Sequence, residues 1–180
     1  MHTGRLVRDA RLEDAACCAE IYAPYVRDTA VSFETEPPTA AEMAARVEAA
    51  LATHAWVVVE EAGRVVGYAY GATFNARGGY RWSTSVSVYT EAGRRRTGAG
   101  RALYTGLLDR LAARGYRTAL AGVALPNEAS AGLHVAMGFE PVGTYRRVAW
   151  KLGRWHDVAW YQRPLGDHPA DQSAPPALPH

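Results

Sequence analysis

The sequence predicts a mixed α/β fold built around one central sheet, and three observations carry that prediction. Short apolar runs alternate with stretches of helical period along nearly the whole chain. The second half reads strand, helix, strand, helix, strand, as a crossover unit does. Finally, 180 residues with 48% hydrophobic side chains are enough for one domain with a substantial core.

The elements follow in order. Leu6 and Val7 suit a short first strand. From Glu13 to Val26, Leu12, Ala16, Ala19, Ile21 and Tyr22 recur near a helical period, with Pro24 disturbing the end. Pro37-Pro38 stops any helix, and Thr39 with Glu42 forms a capping-box start for a helix running to about Thr53. Trp56 to Val59 is a strand, and the turn Ala62-Gly63 leads into a second strand, Arg64 to Thr73, as an antiparallel hairpin. After a glycine-rich loop, Phe74 to Gly79, a third strand is expected from about Tyr80 to Tyr89. A helix from Gly98 to Arg114 closes on Gly115, and Arg117 to Leu125 is a strand. Pro126 and Asn127 open another helix, which ends at Gly138. Phe139 to Arg146 and Arg154 to Gln162 are the last strands. The domain is expected to span 1–166. Residues 167–180, rich in proline, read as a disordered or surface-draped tail.

Composition excludes several function classes. The net charge is +2, and of 20 basic residues only Lys151 is a lysine. The arginines are almost balanced by 18 acidic residues, and no aromatic-basic stripe appears, so no nucleic-acid partner is expected. No apolar run approaches the roughly 20 residues of a spanning helix, and Met1 to Arg11 carries charges where a signal peptide would be apolar. No membrane partner is expected, and a soluble cytoplasmic protein is the default. Cys17 and Cys18 are adjacent, which argues against a disulfide framework, and the six histidines show no metal-ligand spacing.

The stretch that carries chemistry is Arg94-Arg95-Arg96-Thr97-Gly98-Ala99-Gly100-Arg101, between a strand and a helix. Small residues let a polyanion approach the backbone, where the free N–H groups of a helix N-terminus point at it. The arginines complement phosphate charge. The plainer alternative is a tight turn with solvated arginines. A P-loop would need Gly-Lys-Ser/Thr, but Arg101-Ala102 follows Gly100. A dinucleotide fingerprint would need Gly or Ala at Leu103 and an acidic residue ending the next strand, and neither is present.

Arg-Arg-x-Gly-x-Gly, as Arg95 to Gly100, resembles the acyl-CoA pyrophosphate loop of the GNAT superfamily of N-acetyltransferases. Asn127-x-x-Ser130-x-x-x-His134-x-x-x-Gly138-Phe139 resembles its second motif. Tyr80-Arg-Trp82, Val88-Tyr89, Leu125-Pro126-Asn127 and Gly153-Arg-Trp155-His156-Asp157-Val158 narrow the match to the phosphinothricin and methionine sulfoximine N-acetyltransferases. The likeness covers about Leu6 to Leu165.

The resemblance implies a mostly antiparallel central sheet flanked by helices, with a V-shaped splay between the two strands that hold acetyl-CoA. It places acetyl-CoA, as co-substrate, along Val86, Ser87, Val88 and Tyr89, with its pyrophosphate held by Arg95, Arg96, Thr97, Gly98, Ala99 and Gly100. Asn127 matches the pantetheine-contact position, with Ser130, also a candidate for acetyl-CoA, one helical turn further on. Phe74, Asn75 and Ala76, and Thr84 to Val86, match substrate-contact segments. Arg77 is a candidate for a substrate carboxylate, against a solvated loop arginine. Tyr80 and Trp82 line the pocket or pack in the core. A homodimer is implied, with the last strands at the interface.

The implied reaction is direct acetyl transfer to the free amine of a small amino-acid-like substrate. It needs a neutral amine, a polarised thioester carbonyl and a proton for the leaving thiolate. His134 occupies the position of the superfamily's proton donor, and its alternative is a histidine packed on the sheet. Where the family carries a glutamate base, this chain has Ser85. A different amine (polyamine, antibiotic or peptide N-terminus) therefore stays open, as does a CoA-binding sensor with weakened catalysis.

Overall fold

The computed structural model describes residues 4–94, 97–166 and 178. The strands are β1 (Arg5–Asp9), β2 (Trp56–Glu61), β3 (Arg64–Thr73), β4 (Ser83–Thr90), β5 (Thr118–Ala124), β6 (Glu140–Lys151) and β7 (Arg154–Pro164). The helices are α1 (Ala15–Asp28), α2 (Ala40–Thr53), α3 (Ala99–Ala113) and α4 (Glu128–Ala136). The strands form one sheet in the order β1-β2-β3-β4-β5-β7-β6. Every neighbouring pair is antiparallel except β4 and β5, which run parallel and are joined through α3.

β2 shows why its sequence is a continuous apolar run. Val57 and Val59 enter the core that contains Leu103, Leu107 and Leu111 of α3, whereas Trp56 and Val58 enter the core that α1 and α2 close on the opposite face. Alternate residues of a strand point to opposite faces, so a central strand covered on both sides must be apolar at every position. Helix α2 begins as its sequence predicts: Thr39 Oγ1 accepts from Glu42 N (3.2 Å), and the Glu42 carboxylate accepts from Thr39 N (2.8 Å).

Several boundaries differ from expectation, one being the end of β7, which runs to Pro164 rather than Gln162. Helix α1 continues through Pro24 to Asp28. Tyr80 to Trp82 are not strand residues: Gly78–Tyr80 is a 3₁₀ turn, Arg81 Nε donates to Gly78 O (2.8 Å), and β4 starts at Ser83. The alternation of Tyr80 and Trp82 is therefore that of a turn. β6 passes the expected stop at Arg146 because the register shifts between Tyr145 and Ala149. Arg147, at φ +51°, donates its N–H to Asp157 Oδ1 (2.7 Å), and pairing with β7 then resumes to Lys151.

The proline-rich 167–180 segment lies outside the described residues apart from Leu178, which packs against the α3-side core. Both cysteines are free thiols, and the Cys18 thiol is pushed up to about 12, chiefly by burial. No described helix is long and apolar enough to cross a membrane.

Candidate active site

The sheet opens at Ser85. β4 and β5 pair only at Ser83–Thr118, Thr84–Ala119 and Ser85–Leu120. Beyond that point β4 continues against β3 to Thr90 while β5 continues against β7 to Ala124. The β5-facing edge of Val86, Ser87, Val88 and Tyr89 therefore carries backbone groups with no strand partner, which is the expected V-shaped splay. An extended ligand with amide groups pairs with such an edge as an added strand does.

Helix α3 begins at the open end of this fork. Gly98, its N-cap, has φ +83°, a left-handed conformation that glycine adopts without steric cost. A Cβ at Gly100 would stand 3.1 Å from Leu133 Cδ2 of α4, so glycine here lets the two helices approach closely. Ala99 is buried beneath the turn, and its N–H reaches Thr97 Oγ1 at 3.4 Å. The first turn of α3 thus presents backbone N–H groups and the positive end of a 15-residue helix. Glycine at the cap and at the helix contact, together with the unpaired β4 edge, fits a nucleotide diphosphate joined to an extended arm. Arg95 and Arg96 lie outside the described residues. Arg94 is committed elsewhere, to Glu61 Oε2 (2.6 Å) and Glu91 Oε2 (2.8 Å).

Two neighbouring side chains of β4 take opposite faces. Thr84 is fully buried toward α3, where a Cβ on Gly71 would meet its Oγ1 and Leu111. Its hydroxyl donates to Ala72 O (3.0 Å). The structure thus turns Thr84 away from the face that carries Ser85 and Ser87, and a substrate role does not suit it. Ser87 shares a hydrogen bond with Tyr70. On this same face Phe74 packs edge-on against Tyr80 (5.7 Å) and Trp160 (6.1 Å), and Tyr145 lies 6.0 Å from Trp160.

The glycine-rich loop forms one wall of a separate cavity of about 250 Å³, lined by Asn75, Ala76, Arg77, Tyr80, Arg81 and His54 among others. Asn75 Oδ1 accepts from Arg77 N (3.0 Å), an Asx turn that shapes the loop. The Arg81 guanidinium sits 5.2 Å over Trp82. Phe74 thus lies on the fork's face with Trp160, whereas Asn75, Ala76 and Arg77 face this second space.

Asn127 caps α4, its Oδ1 accepting from Ser130 N (3.1 Å). His134 is buried, against Tyr104, Phe139 and Tyr161. Its Nδ1 lies 2.7 Å from Ser130 O, and a carbonyl only accepts, so Nδ1 carries the proton. Nε2 is then free to accept from the Tyr104 hydroxyl at 2.8 Å. Both ring nitrogens are occupied inside the core, as in the packed alternative. Tyr104 is itself buried. Tyr116 donates to Thr53 O (2.9 Å). His156 is buried, with Nε2 donating to Lys151 O (2.9 Å) and its ring 5.8 Å from Phe33.

Sequence reasoning did not single out Tyr70, Tyr145 or Trp160, and it noted Lys151 only as the one lysine. Strand parity places Trp160 opposite Tyr161, but only the sheet order brings it to Phe74.

Burial lowers His134, opposed in part by the Ser130 carbonyl, and burial also lowers His54, aided by Arg114. A histidine whose folded pKa is depressed contributes stability at pH values above its unfolded pKa, near 6.5, and loses it as pH falls through the folded pKa. Tm is therefore expected to fall from pH 7.5 to pH 5, with a shallower slope in His134→Phe. Calorimetry across that range checks both.

A family profile described as the acetyltransferase (GNAT) domain matches residues 7–160. The chain belongs to the GNAT acetyltransferase family. A phosphinothricin N-acetyltransferase of Streptomyces coelicolor is 40% identical over 163 residues, covering 88% of this chain and 95% of the relative. An L-methionine sulfoximine/L-methionine sulfone acetyltransferase of Salmonella typhimurium is 32% identical over 165 residues, covering 91% and 96%. Among solved structures, a GNAT superfamily phosphinothricin acetyltransferase from Sinorhizobium meliloti, in complex with acetyl-CoA, superposes with a TM-score of 0.89 at 36% identity. That alignment covers 96% of this chain and 93% of the other. The GNAT sheet, its fork and the glycine-capped α3 are thus common ground between the sequence expectation and the fold.

Proposed function

We propose that the protein transfers an acetyl group from acetyl-CoA to the amine of a small amino-acid-like substrate of the phosphinothricin or methionine sulfoximine type. The observation that carries this reading is the fork at Ser85 leading directly to the Gly98-capped N-terminus of α3. Likeness to transferases named for those substrates supports the substrate class. The β4 edge from Val86 to Tyr89 holds the extended arm of acetyl-CoA, and its N–H groups polarise the thioester carbonyl. Thr97 to Gly100 bind the pyrophosphate through backbone N–H groups, with Arg95 and Arg96 adding charge. The cap formed by Asn127 and Ser130 holds the start of α4 beside the arm. His134 serves as a positioning residue that joins this turn to Tyr104. Phe74, Tyr145 and Trp160 wall the substrate face. Dependence on acetyl-CoA supports a cytoplasmic location.

The exposed side of β6 supports a homodimer. Tyr145, Val148 and Trp150 are 60%, 53% and 58% exposed on this edge strand, and Trp155 beside them is 51% exposed. Such apolar surface on an edge strand is ordinarily covered. Trp150→Glu is expected to halve the mass seen by light scattering.

The decisive assay is thiol release from acetyl-CoA across α-amino acids, including phosphinic and sulfoximine analogues. Amine-dependent release is expected. Tight acetyl-CoA binding without release on any amine would instead support the sensor.

A further inference from the structure

The substrate face of the fork contains no free proton acceptor among the described residues. Ser83, Ser85 and Ser87 share this face of β4, opposite the buried Thr84 and Val86. From β5, Leu120 and Gly122 face it, and from β7, Trp160 and Gln162, none of which titrates. From α1, β3 and β4 come Tyr22, Tyr70 and Tyr89, whose hydroxyls burial pushes up, so they stay protonated. Tyr25 donates to Thr90 O (2.6 Å).

The carboxylates of the flanking segments are committed. Glu34 is gripped by both Nη atoms of Arg46 of α2 (2.7 and 2.9 Å) and accepts from the Tyr22 hydroxyl (2.9 Å). Glu91 is paired with Arg64 and Arg94. In each, hydrogen bonds from arginine hold the carboxyl below its ordinary range, making it a poor base. Asp157 accepts from Arg147 N, the His156 Nε2 proton is given to Lys151 O, and the Lys151 ammonium donates to two carbonyls. His134 has both nitrogens occupied on the opposite face. Glu36, exposed on the α1–α2 loop, is a carboxylate without a partner among the described residues.

We propose that this site takes its amine already neutral and so selects weakly basic amines: amino groups beside an amide or ester carbonyl, as in amino-acid amides and peptide amino-termini. This rests on the acetyltransferase reading and narrows its substrate from free amino acids, whose carboxylate keeps the amine more basic, to their amides, esters and peptides. The nitrogen lone pair forms the N–C bond to the thioester carbonyl carbon and the C–S bond breaks. The sulfur leaves with that electron pair, and one N–H proton ends on the thiol of CoA. No protein base takes an ammonium proton beforehand. At pH 7 an amino group of pKa near 8 is neutral roughly 230 times more often than an alkylamine near 10.4.

The test is thiol release by the full chain with phenylalanine amide and with phenethylamine, from pH 6 to pH 10, alongside the amino-acid panel. The amide is expected to have a kcat/KM at pH 7 about two orders of magnitude above that of phenethylamine. For each amine, kcat/KM should rise tenfold per pH unit to that amine's own pKa, with no inflection shared by both. Ser85→Glu should add a shared inflection and narrow the gap, while Glu36→Gln leaves both profiles unchanged. A shared inflection in the unaltered protein, or equal kcat/KM for the two amines at pH 7, overturns the proposal and leaves the transferase reading standing. Loss of a shared inflection in Glu36→Gln would identify Glu36 as the base and also overturn it. Thiol release with no amine of the panel overturns both readings.

Discussion

Gly98→Val is expected to weaken acetyl-CoA binding about a hundredfold, close to 2.7 kcal/mol, measured by titration calorimetry. The cap residue holds φ +83°, where a β-branched side chain is a genuine outlier. Its Cβ would also stand 3.1 Å from Arg5 Nη1, which lies beside the turn because Arg5 Nη2 donates to Thr97 O (2.8 Å). The chain must rotate out of the left-handed region and carry the first N–H groups of α3 away from the diphosphate. Each such charge-assisted bond is worth about 1.5–3 kcal/mol, so losing one or two accounts for the effect. Gly98→Ala, with about 1–2 kcal/mol of left-handed strain, should cost nearer tenfold. Amine KM should change little in either variant.

Lys151→Met is expected to destabilise the fold by about 3 kcal/mol, because it strips a charged donor from two carbonyls at a buried site. The single lysine of the chain sits at the end of β6, buried, and its Nζ donates to Val26 O and Ser32 O, both at 2.6 Å. Those carbonyls bracket the turn between α1 and the segment bearing Phe33 and Glu34. Ser32 Oγ is in turn 2.6 Å from the Tyr22 hydroxyl. Lys151 therefore ties the last hairpin to the loop that borders the substrate face. A loss of this size lowers Tm by roughly 6–12 °C in a chain of this length. Lys151→Arg should not restore it, since a planar fork does not replace a compact ammonium between two converging carbonyls. Variant protein that remains folded at low temperature should show a raised amine KM and a near-normal acetyl-CoA Kd.

The sequence alone made most of the elements legible. β3 has the bounds its sequence predicts, α2 ends where expected at Thr53, and α3 and α4 begin at the glycine and asparagine caps their sequences signal. These are local properties, dictated by caps, turns and period. The glycine-capped turn before α3 was equally legible, because a glycine cap between strand and helix needs no distant partner. The widest boundary error came where a long-range contact decided it. β6 extends past Arg146 only because β7 supplies Asp157 to hold the bulge at Arg147.

Side-chain roles divided along the same line. His134 lies in a motif and on a helix, yet its motif does not say which way the ring points. Packing against Tyr104, Phe139 and Tyr161 turned both nitrogens inward. Strand parity set Thr84 and Ser85 on opposite faces, but only the sheet's two packed layers determined which face is the α3 core. The sequence by itself determined the order of strands and helices, the glycine-capped turn and the serine at the fork. The tertiary structure alone decided which carboxylates remain free to act as bases. Ion pairing joins residues far apart in the chain, such as Glu61 to Arg94, and no local pattern encodes that choice.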